Sequence, residues 1–219
     1  MRERKLKVHS LTGRITSELM RKAFKKVKRN RGAAGIDKVS IRMFEANLDQ
    51  NLDALMRDIK TGAFRHQPLR RVFIPKPDGR QRPLGIPAVR DRVGQEVLRR
   101  LLSPVFEPMF HEDSYGFRHG RSAHQAVQRV KELADEGYTF VLDADIKSFF
   151  DDIPHERMVD YVAERVADGN ILGLVKSCLK AGVVEDGQLK PTRKGTPQGG
   201  VISSLLANIV LNRLDWALQ

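Results

Sequence analysis

The chain has 219 residues, of which 41% are hydrophobic and 30% charged, a balance typical of a globular protein with one or two compact domains. No apolar run is long enough to cross a bilayer, and the basic N-terminus lacks the apolar segment of a signal peptide. The single cysteine, Cys178, excludes an internal disulfide, so we expect a reducing, bacterial-type cytoplasm. A net charge of +12 predicts a polyanionic partner.

The N-terminal part of the chain predicts a basic arm followed by two helices. Residues 1–13 are basic and short of large apolar side chains, which is typical of a mobile arm. Apolar residues then recur at helical spacing over 15–27 and again over 44–59. The polar face of the first helix carries four cations, and either a solvated surface or a surface that faces RNA accounts for them: Lys22, Lys25, Lys26 and Arg29.

The middle of the chain predicts a hairpin, two helices and a buried strand. Residues 70–75 alternate as a strand does, 77–80 form a Pro-Asp-Gly-Arg turn, and 82–87 return. A helix with an apolar face follows over 93–102, and Ser122 begins a capping-box helix that ends near Ala134. The β-branched and aromatic run that leads into Asp145 predicts a buried strand over 138–145.

The remaining residues predict two helices, a second hairpin and a long last helix. Pro154 suits the first turn of a helix, and another helix is expected over 171–179. Asp186-Gly187 marks a tight turn, and the last helix begins near Ile202. Helices mixed with short, mainly antiparallel strands place the chain in the α+β class.

Two carboxylates stand where charge is unusual. Asp143 and Asp145 end the predicted buried strand, where a desolvated carboxylate is costly unless it has a partner such as a divalent cation. Residues two apart on an ideal strand point to the same side. Asp151 and Asp152 are better explained as caps of the following helix.

Two further features suit a phosphate ligand. Lys76 and Arg82 flank the predicted turn, so a cation on each strand could close over a polyphosphate, with arginine as a fork and lysine as a point charge. The Gly-rich segment 195–200, which contains Gln198, would let the backbone approach a ligand closely.

Together these segments resemble sequence blocks of the group II intron-encoded reverse transcriptases, the intron maturases. The resemblance covers nearly the whole chain from about Arg31. It implies an N-terminal extension and fingers over 14–135 and part of a palm over 136–219. The blocks that carry it are Gly32–Asp37, Ile74–Leu84, Ser114–His124, Asp143–Asp151 and Gly195–Asn208, and the only departure noted within them is His119 in place of the family's usual proline.

The resemblance also implies roles for individual residues. Asp145 would be the catalytic metal ligand, Ile146 would add its backbone carbonyl, and Asp143 would not be required. Phe150 would block the 2′-hydroxyl of the incoming nucleotide and so favour dNTP. Lys76 and Arg82 would bind the triphosphate, Gln198 would border the sugar, and the candidate template or RNA contacts are Arg70, Arg118, Arg121 and the four cations of the first helix.

The later Tyr-Ala-Asp-Asp block of the family does not occur in the sequence. We therefore expect a fragment whose two-Mg²⁺ site is incomplete and which does not polymerise alone. The partners implied for the intact enzyme are an intron RNA template, a DNA primer and dNTP, with a homodimer as one option. Two alternatives stay open: a non-catalytic RNA-binding module that assists splicing, or a relative from a retron, diversity-generating or CRISPR-linked system.

Overall fold

The computed structural model describes residues 7–75, 79–196 and 199–218. Within these residues, helices alternate with two short hairpins, as the sequence predicts. The helices are α1 Ser17–Arg29, α2 Ile41–Ala46, α3 Leu48–Lys60, α4 Val89–Phe106, α5 Ala123–Asp135, α6 Phe149–Asp152, α7 His155–Ala163, α8 Gly169–Leu179 and α9 Ser203–Leu218. The strands are β1 Leu69–Pro75, β2 Gln81–Ile86, β3 Val183–Glu185 and β4 Gln188–Lys190.

The helix starts follow the capping residues of the sequence. The Thr16, Ser40 and Ser122 side chains each accept a hydrogen bond from a backbone N–H in the first turn of α1, α2 and α5. The apolar stripe of α1 is buried against α4, the long central helix, which is covered on almost all of its faces. The first predicted helix is confirmed, whereas the second, predicted as one helix from Ser40, is divided at Asn47 into α2 and α3. The helix predicted over 93–102 is confirmed, and as α4 it continues through Pro104 to Phe106.

The two hairpins join in one four-stranded sheet of order β2-β1-β3-β4. The antiparallel β1–β2 pair is confirmed, with Arg70 opposite Ile86 and Pro75 opposite Gln81. The second hairpin turns at Asp186 and Gly187, whose φ angles are 52° and 77°. The parallel pairing of Leu69 with Val183 that connects the hairpins was not predicted, because periodicity carries no information on which strands meet.

One hydrophobic core joins the expected fingers and palm segments. It includes Leu11 and Ile59 from the N-terminal part, Val97 from α4, and Val175 and Ile209 from the C-terminal part. The helices and small mixed sheet around this core confirm the α+β class. Among the described residues, no helix has the length and apolar character required to span a membrane.

The prediction of a mobile arm over residues 1–13 is wrong for its described part. Val8 forms a parallel bridge with Val166, and Leu11 is fully buried. Thr12 donates both its backbone N–H and its hydroxyl to the Asp168 carboxylate, each at 2.7 Å. Composition does not predict this anchoring, because it depends on only two apolar side chains, Val8 and Leu11, and on one carboxylate from a distant helix. Residues 1–6 lie outside the described part.

The predicted buried strand over 138–145 is also wrong. This segment forms no strand, and its apolar side chains are exposed, to 97% at Phe140 and 90% at Leu142. None of the described residues pairs with it, and cross-strand partners are what stabilise a strand. The preceding helix α5 likewise has no buried residue. The sequence pattern indicated a segment suited to burial, but the described residues provide no surface to bury it.

Candidate functional site

The glycine-rich segment 194–201 is described at residues 194–196 and 199–201, and its first part is tightly docked on the short helix α6. The N–H of Gly195 donates to the Ile153 carbonyl, and the N–H of Thr196 donates to the Phe150 carbonyl, both at 2.7 Å. Gly195 has a φ of +80°, and a Cβ atom there would lie 2.6 Å from the Asp151 carbonyl oxygen. Only glycine therefore fits this approach without moving backbone.

The other end of the same segment packs on the first hairpin and on α4. A Cβ atom on Gly199 would lie 2.9 Å from Leu84 Cδ1 and 3.0 Å from the Gly85 carbonyl oxygen, both in β2. The N–H of Val201 donates to Gln95 Oε1 at 2.8 Å. The segment thus brings α6, β2 and α4 together. Gln198, expected to border the nucleotide sugar, lies outside the described residues.

A buried histidine, His155, binds the backbone of this segment, and the sequence did not indicate it. His155, 5% exposed, places Nε2 2.9 Å from the Gly195 carbonyl oxygen. A carbonyl only accepts, so Nε2 carries the proton and donates. Burial lowers the pKa of His155, although its hydrogen bonds to backbone carbonyls oppose the shift. In the sequence His155 looked only like a residue in the first turn of α7, so no pattern distinguished it.

Lysine and aspartate add an ion pair at the same place. Lys194 contacts the Asp152 carboxylate, and both side chains are exposed. The expected role of Asp151 and Asp152 as caps of the following helix is wrong, because both lie within α6 and the cap residue of α7 is Pro154, with no side-chain cap hydrogen bond. An exposed pair of this kind contributes little to stability, on the order of 0–1 kcal/mol.

The candidate sugar gate, Phe150, lies at the edge of the core. Its ring contacts Phe117 edge-on at a centroid distance of 6.3 Å and Phe149 at 6.0 Å. Phe149 packs against the hydrophobic core, whereas Phe150 does not belong to it and stays half-buried. The two neighbouring phenylalanines therefore differ: Phe149 supports the core, and the Phe150 ring lies outside it against Phe117 and Phe149.

The candidate metal ligands lie just before α6. Asp143 and Asp145 are exposed, and Ile146 is 46% exposed. Ser148, with a φ of 53°, turns the chain from this segment into α6. The described residues contain no group of three or more histidine, cysteine, aspartate or glutamate side chains that could hold a metal ion. The residues described here therefore do not complete a Mg²⁺ site.

The candidate cations of the first hairpin differ in their surroundings. Arg82 is exposed opposite Ile74, and no described residue forms a hydrogen bond or ion pair with it. Lys76 lies outside the described residues. Arg70 instead donates from Nε and Nη2 to the Ala34 carbonyl at 3.1 and 2.9 Å, so it binds the N-terminal loop to β1.

The two arginines of the 114–124 block differ in their surroundings. The Arg118 side chain is 6% exposed and donates to Glu107 and to the His111 and Ser114 carbonyls. The Arg118 guanidinium is thus bonded within the protein, whereas the expected role was a contact with template or RNA. Arg121 lies over the Tyr115 ring at 5.3 Å and is half-buried.

The cations of α1 are partly neutralised by nearby carboxylates. Lys22 pairs with Glu18, and the adjacent Arg21 and Lys28 pair with Asp49 and Glu45. Lys25 and Arg29 are exposed, and Lys26 is half-buried. The face expected to bind RNA is therefore less positive than its sequence indicates.

Comparison with protein families identifies the arrangement. The family model of the reverse transcriptases (RNA-dependent DNA polymerases) matches residues 74–219. The chain belongs to the reverse transcriptase family. The match includes the end of β1 and all of β2, the segment around Asp145, segment 194–201 and α9.

The relatives of this reverse transcriptase indicate the group II intron lineage. Protein YkfC of Escherichia coli is 41% identical over 189 residues, 84% of this chain and 50% of YkfC. The group II intron-encoded protein LtrA of Lactococcus lactis is 38% identical over 76% of this chain and 28% of its own length. A 91 kDa protein in a cob intron of Schizosaccharomyces pombe is 37% identical over 75% and 20%. The chain spans about half or less of the length of these relatives.

Proposed function

We propose that this chain supplies the fingers and part of the palm of a group II intron-type RNA-directed DNA polymerase. One observation carries the proposal. Segment 194–201 joins β2 of the first hairpin to α6, directly after Asp145, by backbone contacts that only glycine permits. Residues far apart in the sequence thereby form one surface suited to a nucleoside triphosphate.

On this surface the hairpin cations would bind the triphosphate. Arg82 is free to do so because no described residue occupies its guanidinium. Arginine offers a bidentate fork for phosphate oxygens, and Lys76, on the other strand, would add a point charge. Arg121 and the α1 cations would contact RNA, whereas the Arg70 and Arg118 contacts favour a role in holding their loops.

Phe150 would select the sugar. Its half-buried ring is fixed at its base by the Thr196 N–H bond to its carbonyl and at its sides by Phe117 and Phe149. A ring held in this way excludes a 2′-hydroxyl by overlap, which discriminates against a ribonucleotide without any loss of affinity for dNTP.

Members of the family generally use Mg²⁺. Asp145 and the Ile146 carbonyl would provide oxygen ligands, and Mg²⁺, when bound, would stabilise charge on the reacting phosphate. A two-metal site needs more carboxylates than the described residues bring together. Polymerisation is thus proposed for a longer polypeptide in which this chain is joined to the further carboxylates of the site.

Primer extension tests the proposal. The 219-residue chain and a version extended through the next family blocks are each given an RNA template, a DNA primer, Mg²⁺ and dNTPs. We expect extension by the longer polypeptide only. Absence of extension by a folded, RNA-binding longer polypeptide would overturn the polymerase assignment.

A second candidate is an RNA-binding module that assists splicing without polymerising. The net charge of +12 and the lack of a complete metal cluster among the described residues favour it. A nuclear intron maturase of Arabidopsis thaliana is 35% identical over 48% of this chain. Stimulation of intron splicing by the 219-residue chain, with no extension by the longer one, would support this candidate over the polymerase.

A further inference from the structure

A cavity of about 700 Å³ lies between α8 and the linker that joins α3 to β1. Its lining includes Arg65 from the linker and Lys176 and Lys180 from the C-terminal part of α8, together with the polar side chains of Asn170 and Ser177. No aspartate or glutamate belongs to the lining. The cavity therefore combines three positive charges with neutral hydrogen-bonding groups.

The cations of this cavity are not neutralised by the described protein. Lys176 and Lys180 are exposed and have no ion pair with a described residue. Arg65 donates from Nη1 to the Gly62 and Phe64 carbonyls, and no described residue accepts from its Nε or Nη2. On α1, by contrast, Lys22 and Lys28 each have a carboxylate partner. The positive charge of the cavity thus stays available to an anion.

Lys176 and Lys180 are one helical turn apart on α8. Like charges at this spacing repel one another, and an anion between them removes the repulsion. The C-terminal end of a helix attracts cations, which accounts for two lysines at this place. It does not account for a third cation on a different element, Arg65, or for the absence of any carboxylate around the cavity.

The neutral polar side chains of the cavity are held in place by hydrogen bonds within the protein. Ser177 Oγ accepts the His66 N–H at 3.0 Å and lies 3.2 Å from His66 Nδ1. Burial and the nearby Arg90 lower the pKa of His66 to about 4, so it adds no charge near neutral pH. Asn170 is fixed by its bond to the Lys60 carbonyl. The charge of the cavity therefore comes from Arg65, Lys176 and Lys180 alone.

We propose that this cavity binds phosphate groups of an RNA backbone, as an RNA contact separate from the nucleotide surface. It shares no lining residue with the cavity beside segment 194–201. Phosphodiester groups suit a recess of this size whose cations have no carboxylate partners. Contacts of this kind carry no base specificity. The inference deepens the proposed RNA binding and rests on it.

The double variant Lys176→Gln/Lys180→Gln tests the inference in the 219-residue chain. Arg65 is left unchanged because it holds the linker. The matched control, Lys38→Gln/Lys131→Gln, removes two exposed charges that do not line the cavity. Binding of a structured intron RNA is measured between about 50 and 200 mM salt, where each lost phosphate contact lowers the salt slope by about 0.7–0.9. For two contacts, the loss of affinity across this range should become about eightfold smaller in the cavity variant.

A footprint distinguishes an RNA backbone from a small anion. RNA should protect Lys176 and Lys180, but not Lys131, from an amine-acetylating reagent. If inorganic phosphate or a mononucleotide protects the two lysines and RNA does not, the site is one for a small anion and the inference is overturned. It also fails if wild type binds RNA and the cavity variant matches the control. If wild type shows no salt-dependent RNA binding, the proposed function fails with it.

Discussion

Gly195→Ala should unfold the docked segment from α6 and destabilise the whole chain. The added Cβ would lie 2.6 Å from the Asp151 carbonyl oxygen and 2.8 Å from its carbon, so backbone must move. Movement of this backbone would also lengthen two hydrogen bonds, the one from the Gly195 N–H to the Ile153 carbonyl and the one from His155 to the Gly195 carbonyl. These contacts hold α6 and α7 against the segment in the proposed nucleotide surface.

The magnitude follows from two separate costs. An alanine at a φ of +80° costs about 1–2 kcal/mol for its left-handed backbone. Overlap with a backbone that cannot yield adds about 1–3 kcal/mol, for a total of about 2–5 kcal/mol. Gly187→Ala is the matched control, because its φ is +77° and no atom lies within 4 Å of the added Cβ. Gly187→Ala should therefore lower the free energy of unfolding by the backbone cost alone, about 1–2 kcal/mol.

Urea unfolding followed by circular dichroism measures both variants. The linear extrapolation gives each free energy of unfolding, and an unchanged m-value confirms that the comparison is valid. We expect Gly195→Ala to be less stable than Gly187→Ala by about 1–3 kcal/mol, the overlap cost alone. Equal losses in the two variants would refute the close packing of segment 194–201 on α6.

Three further predictions concern charge and selectivity. Burial raises the pKa of Asp91 from 3.8 to about 7, so the folded state binds this proton more tightly and stability falls as pH rises from about 4 to 7. Asp91→Asn cannot ionise, and urea unfolding at pH 8 should show it more stable than wild type, by at most on the order of 4 kcal/mol, with little gain at pH 4. In a polypeptide that continues past Gln219, Phe150→Ala should let rNTPs compete with dNTPs in primer extension, and unchanged selectivity would contradict the steric gate. Arg82→Ala should raise the KM for dNTP while primer-template binding, measured by gel shift, stays within about twofold, since an exposed cation contributes little elsewhere.

Much of the fold followed from local sequence signals. Capping residues such as Ser40 and Ser122 fixed helix starts, and the turn at Asp186-Gly187 fixed a hairpin, because these effects act within a few residues. The parallel β1–β3 pairing and the hydrogen bonds of Thr12 to Asp168 join residues more than 100 positions apart. Local patterns cannot reveal such contacts.

Within the candidate site, the sequence indicated only the residues that family blocks mark. Asp145, Phe150 and Arg82 are candidates on that ground, and among the described residues Arg82 has no hydrogen-bond or ion-pair partner while Phe150 is half-buried. His155 carries no motif, and its role depends only on the carbonyl that lies against it. For residues 138–142 the sequence instead predicted burial that the structure does not have. The composition of this run predicts burial, but burial needs a partner surface, which a local pattern does not describe.

The most direct test of the account is Asp145→Ala in a polypeptide extended past Gln219. Primer extension with Mg²⁺, RNA template, DNA primer and dNTPs is compared with that of Asp143→Ala, which removes a carboxylate two residues away. The account predicts that Asp145→Ala abolishes extension, that Asp143→Ala keeps most of it, and that both variants bind RNA as wild type does. Full extension by a folded Asp145→Ala variant would contradict the metal-ligand assignment and with it the proposed nucleotide surface.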